Sequence, residues 1–130
     1  MTIIIGRICL LLLLLAPSLL SAQTRQSGEF VVFIHAGGGS INDQDLREIG
    51  ALLVKKGYVV RAPDRERTVK GGPGVDYFSS FAREAAQDVA DTVNEHLLAM
   101  RLLPDEKQRL RPRLQLRPNN LPVYLEVWLP

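Results

Sequence analysis

Residues 30–64 read FVVFIHAGGGSINDQDLREIGALLVKKGYVVRAPD, and this stretch decides the fold. Its first five residues, Phe30-Val31-Val32-Phe33-Ile34, are β-branched or aromatic and apolar on both faces, which suits an interior strand of a sheet. Ala36-Gly37-Gly38-Gly39-Ser40 ends that strand in a loop. Asn42 then caps a helix, with Ile41 and Leu46 at the two positions of a hydrophobic staple. Leu46, Ile49 and Leu53 fall on one apolar stripe, joined by Leu52. Lys55 and Lys56 suit the negative helix end, and Gly57 supplies a left-handed stop. Tyr58-Val59-Val60-Arg61-Ala62 reads as a second strand, ended by Pro63. Joints this short make a strand–helix–strand unit whose two strands are parallel.

The same order recurs downstream. Val75-Asp76-Tyr77-Phe78 is a short strand, and Ser79 or Ser80 caps a second helix running to about Met100. Ala82, Ala85, Ala86, Val89, Val93, Leu97 and Met100 form its apolar stripe, while Glu84, Asp88, Asp91 and Glu95 are acidic on another face. Pro104 ends the helical region. Arg113-Leu114-Gln115-Leu116-Arg117 alternates as a half-exposed strand does, Pro118-Asn119-Asn120 is a turn, and residues 123–129 alternate again. These last two strands read as a C-terminal hairpin, with Pro122 marking a sheet edge. The expected fold is therefore an α/β sandwich of the α+β class. It is a split, ferredoxin-like βαββαβ arrangement with two helices on one face of a four- to five-stranded sheet.

Upstream of this domain, residues 8–20 are apolar apart from Pro17, follow Arg7 and precede Ser21-Ala22. A helix of that span is about 20 Å long, short of the ~30 Å bilayer core. The pattern is that of a secretory signal peptide over residues 1–22, cleaved near Ala22-Gln23. Leu20 stands where the cleavage site prefers a small residue, so an uncleaved N-terminal membrane anchor is the alternative. Residues 23–28 are a polar lead-in, and residues 29–130 form one α/β domain. The expected location is exported, periplasmic or secreted.

The single cysteine, Cys9, lies in the segment lost on cleavage, which excludes thiolate-built zinc and iron–sulfur sites. Two histidines, His35 and His96, offer little else, and no metal or cofactor is expected. The 16 Lys/Arg nearly balance 14 Asp/Glu, so nucleic-acid binding is not indicated. Basic residues do concentrate between Arg101 and Arg117, as on a solvated strand face or a surface attracted to an anionic polymer.

Two family resemblances attach to these motifs. Val31-Val32-Phe33-Ile34-His35-Ala36-Gly37-Gly38-Gly39, with Lys56-Gly57-Tyr58-Val59-Val60 through Asp64, resembles the His-Gly-Gly-Gly region of α/β-hydrolases. In that family the glycine loop offers N–H groups to an oxyanion. Ala36 replaces a glycine, and no G-x-S-x-G nucleophile elbow follows, so a reduced hydrolase is the least favoured reading and no catalytic residue is assigned. Gly37, Gly38 and Gly39 remain a possible anion loop. Residues 29–100 resemble the small βαββαβ domains of the bacterial envelope. Those are the LytR C-terminal domain and, in shape, the SPOR peptidoglycan-binding domain. The match is carried by the first strand ending in glycines, by Lys-Lys-Gly-Tyr-Val-Val and by a Val-Asp-Tyr-Phe strand running into an alanine-rich helix. The SPOR likeness implies noncatalytic binding to cell-wall glycan.

The functional expectation is an exported, noncatalytic binding domain of the bacterial cell envelope. It would recognise peptidoglycan, another envelope polymer or a protein partner through an uncovered sheet face. Arg61, Tyr77, Tyr124 and Trp128 are the candidate binding residues, with Arg113 and Arg117 at the rim. Asp76 on a strand implies an open sheet face or a salt bridge, with Arg61 the candidate partner. The alternative is an oligomerising domain that buries its second sheet face in a homodimer.

Overall fold

The computed structural model describes residues 30–37, 39–65, 71–103, 106–116 and 122–130. The segments expected to be a signal peptide and lead-in, with Gly38, Arg117 and residues 118–120, expected as a turn, lie outside the described residues. Within them, no helix is long and apolar enough to cross a membrane.

Five strands and two helices follow in the order β1 (Val31–His35), α1 (Asp43–Lys55), β2 (Val59–Val60), β3 (Gly74–Tyr77), α2 (Arg83–Ala99), β4 (Pro112–Leu114) and β5 (Tyr124–Trp128). The first unit forms as its sequence dictates. The Asn42 side chain accepts from the Asp45 N–H at 2.8 Å, and both staple residues, Ile41 and Leu46, are buried. At the far end Tyr58 N–H bonds Leu53 O and Gly57 N–H bonds Val54 O, the paired bonds of a Schellman stop. Gly57 takes φ 101° to make it, a conformation that a Cβ penalises. The chain then returns as β2, parallel to β1 with Val31 beside Val59.

The second unit starts differently from the sequence expectation. Ser79 Oγ donates to Pro122 O rather than capping a helix, and a 3-10 turn over Ser80–Ala82 leads into α2. Ala85, Ala86, Val89, Ala90, Val93 and Leu97 are buried, whereas Met100 lies past the stripe and is exposed. The helix ends in a second Schellman pair, Leu102 N–H to Leu97 O and Arg101 N–H to Leu98 O. Here Arg101 holds φ 57° without being glycine. Asn94, buried within α2, donates from Nδ2 to Leu110 O at 2.9 Å. Its Oδ1 accepts the Leu110 N–H at 2.8 Å. This two-way amide bond fixes the segment that enters β4, and β4 pairs parallel to β3.

The sheet order is β2-β1-β5-β3-β4, which corrects the ferredoxin-like expectation. In a split arrangement the two βαβ units interleave; here each closes on itself, and β5 joins them. β5 runs parallel to β1 and antiparallel to β3. The C-terminal hairpin is also overturned, because β4 and β5 do not pair and β5 is central rather than an edge. The physical reason lies in β5 itself. Leu125, Val127 and Leu129 are fully buried on one face while Tyr124, Glu126 and Trp128 occupy the other. Trp128 stacks on His35 of β1 on one side and donates to Asp76 of β3 on the other, contacts that a strand lying between β1 and β3 makes. Pro122 precedes the strand, so its missing N–H costs no ladder bond.

One face of the sheet carries the core. Val32 and Ile34 of β1, Leu125 and Val127 of β5, and Val75 and Tyr77 of β3 share it with the buried stripes of both helices. α1 and α2 pack on each other on this side, with Lys56 Nζ and Tyr58 Oη donating to Asp88 at 2.8 and 2.6 Å.

Candidate functional site: the open sheet face

Alternation along the strands sends every second residue to the other face. The ladder register sets them side by side: Val59 of β2, Val31, Phe33 and His35 of β1, Tyr124, Glu126 and Trp128 of β5, Asp76 of β3, and Arg113 of β4. Arg61, two places beyond Val59 and bonded through its N–H to Val32 O, continues this row and is exposed. No helix among the described residues covers this face, and Phe33, Tyr124, Glu126 and Trp128 are all part exposed.

A polar chain organises its centre. The Asp76 carboxylate accepts Arg113 Nε–H at 2.8 Å on one oxygen and Trp128 Nε1–H at 3.0 Å on the other. Asp76 is only 6% exposed, so both donors are needed to keep its charge satisfied. Arg113 also donates to Gly71 O. It crosses β3 at Gly74, where a Cβ would stand 2.7 Å from the guanidinium carbon. Trp128 in turn stacks on His35, with ring centroids 4.0 Å apart and planes at 21°. Phe33 meets Tyr124 edge-on at 5.2 Å. The aromatic residues thus form two pairs on adjacent strands, and one of them is anchored by hydrogen bond to an ion pair.

His35 is buried, and neither ring nitrogen has a hydrogen-bond partner. Its Nδ1 lies 3.6 Å from Asp64 Oδ2, beyond hydrogen-bond length. Asp64 is held there by backbone bonds, its N–H to Ile34 O and its carbonyl receiving Ala36 N–H. The hydroxyls of Ser40 and Ser79 donate to the carbonyls of Pro130 and Pro122, so neither is engaged with His35. The glycine loop has Gly39 at φ 71°. The helix end beside it carries its own negative charge in Asp43 and Asp45, and Asn42 already takes the Asp45 N–H.

The sequence candidates divide clearly. Arg61, Arg113, Tyr124 and Trp128 share the open face. Tyr77 does not: it is 7% exposed in the core beneath α2, because Asp76 takes the open face and period-two alternation turns its neighbours inward. The expected partner of Asp76 is also corrected, since two strands separate β2 from β3 and Arg113 occupies the position. Arg117 is outside the described residues. Phe33, His35 and Glu126 were missed as site residues. Glu126 alternates with Leu125 and Val127 and so was legible on its own strand, whereas the first strand reads as apolar on both faces and gave no sign of which side Phe33 and His35 take. A hollow of about 280 Å³ lined by Asp43, Leu46, Arg47, Pro63 and Arg65 lies away from these residues, beside α1.

Comparison with protein-family models, with curated proteins and with solved structures gives no match to this chain.

Proposed function

We propose that this chain is an exported, noncatalytic binding domain of a bacterial cell envelope, and that its open sheet face takes a glycan-containing wall polymer. The observation that carries the reading is the row of part-exposed aromatic side chains, Phe33, Tyr124 and Trp128, on a face that no helix among the described residues covers. Aromatic rings offer a flat apolar body, and the indole adds a polar handle. A pyranose ring presents the complementary surface, an apolar C–H face with hydroxyls at its edge. Arg61 supplies donors and Glu126 acceptors within the same row. Anchoring Trp128 through Asp76 fixes its ring before a ligand arrives, which lowers the ordering cost of binding.

Co-sedimentation with purified peptidoglycan sacculi at physiological salt tests this. Wild type should pellet with sacculi, Tyr124→Ala should weaken the association at least tenfold with the fold intact by circular dichroism, and added salt should change little. Binding lost in Arg61→Ala and abolished by salt would indicate charge attraction alone. Absence of binding together with a dimer in sedimentation velocity would transfer the open face to an interface between two copies.

A further inference from the structure

The two helices run antiparallel. Lys56 and Tyr58, just past the end of α1, meet Asp88 near the start of α2, and the first turns of α1 meet the last turn of α2 at His96. Asp45 and Glu48, one helical turn apart, present their carboxylates there. One donor atom from each of Asp45, Glu48 and His96 lies within 4.8 Å of the other two. Glu48 Oε2 is 3.6 Å from His96 Nε2, too long for a hydrogen bond but close to the separation of two ligands on one ion.

An orphaned nitrogen accompanies this geometry. His96 Nε2 is inaccessible to solvent and has no hydrogen-bond partner. Asp45 is 6% exposed, and its N–H is taken by Asn42. A buried imidazole nitrogen left unpaired is costly. A single cation there satisfies it.

We infer that Asp45, Glu48 and His96 bind a divalent first-row transition ion that clamps α1 to α2. Imidazole nitrogen with carboxylate oxygen is a donor set for zinc, manganese, cobalt or nickel, whereas calcium and magnesium favour oxygen alone. Two carboxylates balance the ion's charge. Ligands at about 2.1 Å from a common ion sit roughly 3–3.5 Å apart, so the Glu48 side chain, 44% exposed, has only a short distance to close. Three protein ligands leave a position for water on the Glu48 side. The site lies in the helix layer, across the sheet from the aromatic face, so it stands independently of the proposed glycan reading.

The test uses the purified full chain, untagged and carrying Cys9→Ser so that no thiolate contributes, titrated with Zn²⁺ by calorimetry. Imidazole nitrogens are followed in parallel by long-range ¹H–¹⁵N NMR. One ion per chain is expected, with the His96 Nε2 resonance shifting while those of His35 stay in place. His96→Gln should abolish the site and Asp45→Asn should weaken it at least tenfold, with both variants folded by circular dichroism. His35→Gln should bind as wild type. No heat and no His96 shift would reduce the cluster to a His–Glu contact and overturn the inference. Binding that survives His96→Gln would overturn it equally.

Discussion

Replacing Asp76 by alanine should destabilise this domain more than any other single change on its open face. The carboxylate is almost fully buried and receives two hydrogen bonds, at 2.8 Å from Arg113 and 3.0 Å from Trp128. A hydrogen bond to a charged group contributes about 1.5–3 kcal/mol. Removing one partner of a buried pair costs about 3–5 kcal/mol, because the other charge is stranded. The Arg113 side chain is 27% exposed, so water recovers part of that loss, and about 3 kcal/mol is the expected net. For a domain of this size that lowers Tm by roughly 12 °C or more. Asp76→Asn keeps the shape but offers one acceptor and turns an N–H₂ toward the second donor, so about 2 kcal/mol is expected. Urea denaturation monitored by fluorescence reads the site directly, since Trp128 is the sole tryptophan. Trp128→Phe, followed by circular dichroism, deletes only the indole donor and should cost about 1 kcal/mol. In that background Asp76→Asn should cost less than in wild type, which is the signature of coupling. An Asp76→Ala loss below about 1 kcal/mol, or strict additivity in the cycle, would mean that Asp76 does not anchor this face.

Four further outcomes are expected. Gly74→Ala places a Cβ 2.7 Å from the Arg113 guanidinium on backbone that is not left-handed; it should cost about 1–3 kcal/mol in wild type and almost nothing beside Arg113→Ala, as urea midpoints will report. Asn94→Leu strands the Leu110 N–H and C=O in the core and should cost about 2–4 kcal/mol, read by thermal denaturation. Arg101→Gly relieves the left-handed position ending α2 and should stabilise by about 0.5–1 kcal/mol, a rise in Tm rather than a fall. The Tyr58–Asp88–Lys56 cluster sets a pH dependence at both ends. Burial raises the Tyr58 hydroxyl, and its bond to Asp88 and that group's charge raise it further. Burial also pulls the Asp88 carboxyl upward, but bonds from Lys56 and Tyr58 and the Lys56 charge outweigh it and hold it low. Stability from Tyr58 is therefore complete below its unfolded value near pH 10 and lost above it, and that from Asp88 is complete above about pH 4 and lost below. Tyr58→Phe should remove the alkaline limb in a Tm-against-pH series.

Local structure was legible wherever the signal was local. The cap at Asn42, the staple of Ile41 and Leu46, the stop at Gly57 and the parallel return of Val59 and Val60 all follow from spacing and composition over a few residues, and all form as expected. The alanine-rich stripe of α2 was equally clear until its last member, Met100, which is the cap residue past the helix end and is exposed. What local pattern does not encode is which strand lies beside which. β4 and β5 follow each other in sequence and both alternate, so a hairpin was the natural reading. The contacts of Trp128 with His35 and Asp76 and the pairing of Arg113 with Asp76 go with the observed order instead, and these are long-range facts. The candidate face shows the same division. Tyr124 and Trp128 were identified from alternation on their own strand, whereas Phe33 and His35 join them only through the register of β1 against β5. Tyr77 was misplaced because its charged neighbour Asp76 decides which way the strand faces. Asn94 gave no sequence signal at all, since a lone polar residue on a helix reveals nothing of a carbonyl sixteen positions away.

Whether the open sheet face binds a wall glycan is decided by an NMR titration of the ¹⁵N-labelled chain with soluble, enzymatically released peptidoglycan fragments. Progressive shifts are expected, confined to the backbone and side chains of Phe33, Tyr124, Glu126 and Trp128, with the indole N–H of Trp128 among the largest. Shifts mapping instead to the exposed faces of α1 and α2, or none at millimolar fragment, would contradict glycan binding at this face.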